Sequence, residues 1–392
     1  MDHSITDDIY WVGVNDRKND VFESYWPIPD GISYNSYLIQ DENTALIDGV
    51  KGGFSEDFLK KVESLVSLED IDYLVTNHME PDHTGVFPEL RRINPELTFL
   101  GTEKTKELME SFYGISEGVK VVETGDTLDL GLNTLEFFET PFVHWPETMM
   151  TYQKEEEILF SGDGFGTFGA LSGGIFDDKF VKEQYFEEAI RYLSNIVGAY
   201  SATLQAALSK LDDLNIEIIA PTHGPIWREA PEEIVKLYDK YSSGEGDPGV
   251  TMVYGSMYGF TEKVAEQVAR GAKSGGLKDL QVLDASRTHP SYLLSAAWKR
   301  RGLIIGSPTY ESRAFPPISN FLEVVEKKKL KERIAGIFGS YGWGGGSVRE
   351  IEGTVETLDW NLAASPVEFN GQPSRDQLES GFELGRKVAE EV

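Results

Sequence analysis

The residues best equipped for chemistry in this chain are its histidines, because there are only six and two of them fall in the stretch NHMEPDHTG. His78, Glu80, Asp82 and His83 place two imidazoles and two carboxylates within six positions, directly after the strand-like run IDYLVT. On a loop leaving a strand, alternate residues can converge on one point, and Pro81 stiffens the turn. Three more donors end other strand-like runs: His144 in TPFVHWPET, Asp163 in FSGDGFG and His223 in APTHGPIW. Mixed imidazole and carboxylate donors suit iron, manganese or zinc, and seven are more than one open catalytic metal requires. His3 and His289 have no comparable setting. The chain has no cysteine. That excludes disulfides, thiolate-held iron–sulfur clusters, a rubredoxin-type iron and cysteine nucleophiles, so any metal is held by histidine and carboxylate.

A second set of groups lies in YGSMYGFTEK, between a strand-like run and a helix. Ser256, Tyr258, Gly259 and Thr261 offer hydroxyl and backbone donors at a helix N-terminus, where the dipole favours a phosphate. Two further loops, SPTYESR (307–313) and GSYGWGGG (339–346), end later strands. Three such loops on one sheet edge make a nucleotide pocket. No Gly-Lys-Ser/Thr follows the first loop and no GxGxxG occurs, so neither a Walker A phosphate loop nor a dinucleotide fingerprint is present.

These groups need scaffolding, and 392 residues exceed one ordinary core, so two domains are expected. From residue 8 to about 230 short strand-like runs alternate with helical stretches such as FSEDFLKKVESLV and QYFEEAIRYLSNIV, an α/β pattern with several adjacent strands. SSGEGDPG, between Tyr241 and Gly249, reads as an interdomain linker. Beyond it five apolar runs (GVTMVYGS, LQVLDAS, GLIIGSPTY, RIAGIFGSYGW, PVEFNG) alternate with five helical stretches starting near Thr261, Ser291, Pro316, Ser347 and Arg375. That order predicts a parallel sheet covered on both faces, with ligands beyond the carboxyl ends of its strands. The expected domains are 1–248 and 249–392.

The arrangement resembles the flavodiiron proteins, whose signature is His-x-Glu-x-Asp-His followed by a lone His, a lone Asp and a lone His. Here that pattern reads His78, Glu80, Asp82, His83, His144, Asp163 and His223. The resemblance covers the whole chain in the family's domain order and implies a metallo-β-lactamase-like αββα sandwich followed by a flavodoxin-like doubly wound five-stranded parallel sheet. It implies that His78, Glu80 and His144 hold one iron and Asp82, His83 and His223 the other, with Asp163 bridging. Glu80 discriminates, because hydrolases of the metallo-β-lactamase fold usually carry histidine there; the alternative, such a hydrolase with an appended flavodoxin-like domain, would work with zinc and without reductant. FSGDGFG departs from the family's usual Ser-Cys-Asp but keeps the aspartate. Tyr200 occupies a place where relatives put an aromatic near the substrate, and its hydroxyl is expected to donate to bound dioxygen or nitrosyl.

Resemblance to flavodoxin implies FMN held by Ser256, Met257, Tyr258, Gly259, Phe260 and Thr261 in the first loop. Ser307, Pro308, Thr309 and Tyr310 in the second loop, and Ser340, Tyr341, Gly342, Trp343, Gly344 and Gly345 in the third, complete that set. The family implies electron flow from an external donor, a rubredoxin-like protein or a reduced deazaflavin coenzyme, through FMN to the iron pair. There dioxygen is reduced to water or nitric oxide to nitrous oxide. It implies also a head-to-tail homodimer or dimer of dimers, with Trp145 at the contact with the partner's flavin.

With 36 basic against 66 acidic residues the net charge is −30, which repels nucleic acid and anionic membranes. It suits a basic redox partner and equally serves solubility. No apolar run approaches the roughly 20 residues of a membrane span, and the acidic N-terminus does not read as a secretory signal; a cytoplasmic location is expected.

Overall fold

Strands joined by tight turns pair antiparallel, whereas parallel neighbours need a crossover of a dozen or more residues; that rule explains most of the computed structural model, which describes residues 3–392. Its contacts divide the chain into two units, one running to Leu193 with Tyr200–Asp239, the other made of Ser194–Ala199 and Lys240–Val392.

In the first unit a six-stranded sheet runs in the order Ile9–Trp11, Tyr37–Ile39, Ala45–Ile47, Tyr73–Val75, Thr98–Gly101, Val119–Val121. The first three pair antiparallel. The rest are parallel, and each parallel step is bridged by a helix: Ser55–Glu63, Phe87–Ile93 and Glu103–Tyr113. The first of these buries Phe58, Leu59 and Val62 and carries Glu56 and Asp57 in its first turn and Lys60 and Lys61 in its last, the polarity that the helix dipole favours. A five-stranded sheet follows, Thr127–Asp129, Thr134–Glu139, Met149–Gln153, Ile158–Phe160, Ile218–Ala220. Its single parallel pair, the last, is spanned by Lys182–Tyr192 and Ser201–Leu211. Ile39, Ile47, Val75 and Leu100 of one sheet meet Phe137, Met149, Phe160 and Ala220 of the other in one core. The result is the expected αββα sandwich.

In the second unit the strand order is Leu280–Asp284, Asp247–Tyr254, Arg300–Tyr310, Ile334–Tyr341, Val367–Asn370, all parallel. Helices Phe260–Ser274, Pro290–Lys299, Pro316–Lys328, Ser347–Thr357 and Arg375–Glu391 alternate with them. The chain reverses direction across the sheet between Asp247–Tyr254 and Arg300–Tyr310, the place where such sheets open a ligand cleft. The first and last helices pack backbone to backbone: a Cβ on Gly385 would lie 1.9 Å from the carbonyl oxygen of Val268.

Two local features differ from expectation. The linker shrinks, because the helix Pro231–Ser242 and the strand from Asp247 leave only four residues between them; the Asp247 carboxylate accepts from the Tyr241 hydroxyl (2.9 Å) and pairs with Lys240. The metal loop is not wholly extended either. Pro81, with φ already set for a helix, opens one helical turn, Pro81–Thr84.

Candidate metal centre and flavin cleft

That single turn sorts the donors. His78 and Glu80 leave the strand Tyr73–Val75 in extended backbone, while Asp82 and His83 sit on the turn. Their atoms form two groups, His78, Glu80, His144 and Asp163 in one and Asp82, His83 and His223 in the other, with the ligand atoms of each within 4.8 Å of one another. In the first group Nε2 of His144 lies 3.2 Å from Oε2 of Glu80 and 3.0 Å from Oδ2 of Asp163. Asp163 faces the second group through its other oxygen, 3.1 Å from Nε2 of His83 and 3.5 Å from Nε2 of His223. One carboxylate thus reaches both halves, as a bridge between two metals must.

The electrostatics call for cations. Burial opposes charge on His78, yet its hydrogen bonds to the Glu147 and Glu80 carboxylates and the charge of Asp163 hold its pKa well above the ordinary value. Burial likewise opposes charge on His83 and His144, but Asp82 and Asp163 raise the first to about 9 and Asp163 and Glu80 raise the second to about 9. Asp163 is held well below its usual range by His83 and His144 despite complete burial. Both carboxylate oxygens of Asp82 and the Nε2 atoms of His83 and His223 are buried without a hydrogen-bond partner among the described residues. Buried polar atoms left this way are costly, and divalent cations satisfy all four at once. The donor set fits a pair of irons.

In the second unit a cleft of about 590 Å³ opens at the carboxyl ends of the strands. Met257, Tyr258, Phe260, Thr261, Pro308, Thr309, Tyr310, Ser340, Tyr341, Gly342, Trp343 and Gly344 line it, together with Glu311, Ser312 and Gly371. Of the residues expected to hold the flavin, Ser256, Gly259, Ser307 and Gly345 do not line it. Ser256 turns its hydroxyl back to accept from the amide of Gly259 (3.1 Å), so it shapes the loop. Gly259 has φ +82° and precedes the first helical residue. Ser307 is fully buried and accepts from the amide of Phe315; any side chain at Gly345 would press on Glu368. Thr261 and Ser340 join hydroxyls at 2.9 Å across two loops. Aromatic faces beside a helix N-terminus suit a planar ring carrying a phosphate, as FMN is.

Residues 32–224 match the family model described as ODP family beta lactamase, and residues 252–385 match flavodoxin. The nitric oxide reductase of Moorella thermoacetica is 33% identical over 99% of this chain and 98% of its own length. The flavodiiron protein of Giardia intestinalis superposes with a TM-score of 0.94 at 29% identity, over 99% of this chain and 96% of that one. The chain belongs to the flavodiiron protein family. Rubredoxin oxygen:oxidoreductase from Desulfovibrio gigas is equally close in fold, with a TM-score of 0.94 and 29% identity over 98% and 97% of the two chains.

In this flavodiiron protein the cofactors are accordingly FMN and a non-haem iron pair. Gly162 has φ +55° and leaves Asp163 buried between the two groups. Two tyrosines lie on this side of the unit. Tyr200 is 37% exposed and stacks on Phe142 with centroids 5.8 Å apart; its hydroxyl makes no hydrogen bond among the described residues. Tyr192 instead lies fully buried, its ring 5.6 Å from that of His223. Both tyrosines flank one helical stretch, and the sequence offers no signal separating them beyond a position eight residues apart. Trp145 packs edge-on against His78, centroids 5.3 Å apart, at the rim of the metal centre. Glu147, two residues further on, was not foreseen: its Oε1 lies 2.8 Å from Nδ1 of His78. His3 packs against Trp11, and His289 caps the helix Pro290–Lys299. Among the described residues no helix is long and apolar enough to cross a membrane.

Proposed function

We propose that this chain reduces dioxygen to water, nitric oxide to nitrous oxide, or both, with electrons passing from an external donor through FMN to the iron pair. The observation that carries the reading is Asp163, whose two oxygens address two separate histidine and carboxylate groups, on a chain that also holds a flavin cleft. When bound, the irons supply two adjacent redox-active points for a diatomic molecule, and FMN supplies electrons singly or in pairs. Asp163, Glu80 and Asp82 neutralise metal charge. His78, His83, His144 and His223 fix its position. In this reading the buried hydroxyl of Tyr192, whose ring lies beside His223, donates a hydrogen bond toward the substrate, and Thr261, Ser340 and the amides after Gly259 take the flavin phosphate.

The same reading extends to assembly and donor. Exposed aromatics occur near both cofactor sites, Phe112 (42%) and Phe142 (42%) in the first unit, Tyr258 (84%) and Trp343 (99%) in the second. Apolar surface of this kind favours association, which supports a head-to-tail dimer, alone or doubled, that covers each flavin with the Trp145 face of a partner copy. The Desulfovibrio relative is named for rubredoxin and oxygen and the Moorella relative for nitric oxide. The first name favours a rubredoxin-like donor; a reduced deazaflavin coenzyme is the other donor class of this proposal, and the cytoplasm its proposed location.

The test is metal and flavin content of the purified protein, then anaerobic reduction and separate additions of dioxygen and nitric oxide. About two irons and one FMN per chain, with reoxidation over several turnovers, is the expected result. Zinc without flavin, or gas binding without repeated consumption, would overturn the reading.

A further inference from the structure

The histidines of the two metal-binding groups are not supported alike from behind. In one, Nδ1 of His78 meets Oε1 of Glu147 at 2.8 Å, with both side chains wholly buried. The same oxygen accepts from the amide of Met79 at 2.8 Å, and the carbonyl of Glu147 accepts from the Thr102 hydroxyl at 3.1 Å. The residue is therefore anchored at its backbone and through Oε1, while its other carboxylate oxygen, Oε2, is buried with no hydrogen-bond partner among the described residues. In the other group, Nδ1 of His223 donates to the backbone carbonyl of Ser33 at 2.7 Å. Nδ1 of His83 is buried without a partner among the described residues. One group thus has an anion behind a ligand histidine. The other has a neutral carbonyl and no carboxylate hydrogen bond, the buried Asp48 acting on His83 through its charge alone.

An imidazole that gives its outer N–H to a carboxylate becomes more basic and a stronger donor to the metal on its inner nitrogen; a carbonyl does this less. Stronger donation and a nearby negative charge both favour the higher metal charge, more so where water is excluded. We infer that Glu147 makes the two halves of the centre unequal: the half built from His78, Glu80 and His144 holds its iron more tightly and further toward the ferric state than the half built from Asp82, His83 and His223. The first electron reaching the pair then settles on the His83 and His223 side, and a chelator strips that side first. This rests on the diiron reading above and assigns Glu147 as a positioning and tuning residue that itself touches neither metal nor substrate.

The decisive variant is Glu147→Gln in the FMN- and iron-loaded protein, which keeps the volume and one acceptor but removes the charge. Redox titration followed by Mössbauer spectroscopy should show the two one-electron iron steps drawn together by at least a tenfold change in ferric preference, about 59 mV for a one-electron couple. The flavin potential should stay in place, and Glu147→Asp should restore most of the separation. Iron of the His78 half should also be lost to a chelator about 10–100 times more readily in Glu147→Gln. Unmoved iron steps in a fully loaded Glu147→Gln protein would overturn the inference. Should that variant load no iron, the wild-type protein answers: anomalous diffraction from crystals stripped to half their iron should leave metal at His78, Glu80 and His144, and metal left at Asp82, His83 and His223 would overturn it. A wild-type protein without an iron pair sinks the functional reading itself, whereas an intact pair with equal halves sinks only this one.

Discussion

Tyr192 meets the ring of His223 at 5.6 Å and 51°, with a hydroxyl that is buried and has no hydrogen-bond partner among the described residues. Burial, then the charges of Asp163 and Asp82, push its pKa well above the ordinary tyrosine value, so the group stays an O–H donor at any working pH. An orphaned buried hydroxyl costs the fold about 1–3 kcal/mol, a cost that makes sense where a ligand later accepts from it. Tyr192→Phe should therefore raise the thermal stability of the metal-loaded protein while lowering kcat by about fivefold to tenfold, the worth of one hydrogen bond of about 1–1.4 kcal/mol. Calorimetry and steady-state gas consumption test the two signs separately. Tyr200→Phe should change neither, and a larger loss of turnover there than at Tyr192 would refute the assignment.

Asp163 carries the second prediction. Its Oδ1 accepts from the Thr222 hydroxyl at 2.6 Å, so the carboxylate is aimed as well as charged. Asp163→Asn preserves that shape but removes the anion shared by the two groups. Iron retention should fall by more than the about 10–100-fold typical when a residue behind a ligand is lost, with FMN content unchanged because its cleft belongs to the other unit. Elemental analysis beside flavin absorbance reads both. Full iron loading in the variant would show that Asp163 does not join the halves.

The seven donors were legible because residue chemistry and strand-end position are both written in sequence: His78 to His83 by their spacing, His144, Asp163 and His223 by their flanking Gly and Pro. The second unit was legible for a related reason, since apolar runs of parallel strands alternate visibly with crossover helices. Met149–Gln153 escaped because it is buried on both faces and shows no period-two alternation. Tyr192 and Glu147 escaped because their roles depend on which way a side chain points after packing. Glu147 sits in HWPET as an ordinary acidic residue, and only the fold turns it onto His78. The linker is shorter than its composition suggests because Gly, Ser and Pro mark a turn equally well, and the ties from Asp247 to Lys240 and Tyr241 are tertiary.

Gly259 supplies a prediction for the flavin. With φ +82° it stands in the left-handed region immediately before the helix Phe260–Ser274, where a β-branched side chain costs about 1–2 kcal/mol of backbone strain. Gly259→Val should shift the loop that presents the helix amides and weaken FMN binding by about fivefold to thirtyfold. Fluorescence titration of the deflavinated protein measures it. Iron content should be normal. Unchanged FMN affinity would mean that the loop does not take the phosphate.

Asp247 gives a pH dependence whose sign can be worked out. Burial raises its pKa, but the hydrogen bonds from Lys240 and Tyr241 outweigh that and set it below the ordinary 3.8. The unfolded chain therefore takes up the proton first as pH falls, so the stabilisation is complete above the unfolded value and drains away as pH drops through the folded one. Asp247→Asn should lower the melting temperature of the second unit at about pH 7 and lose that deficit as the pH falls through the folded value, where the wild-type carboxyl is itself protonated. The carboxylate is partly exposed, so solvent screening keeps the effect small, and its diagnostic is convergence of the two melting curves in acid. A deficit that persists undiminished at the lowest pH would mean that Asp247 matters through its shape at the start of the strand and not through its charge.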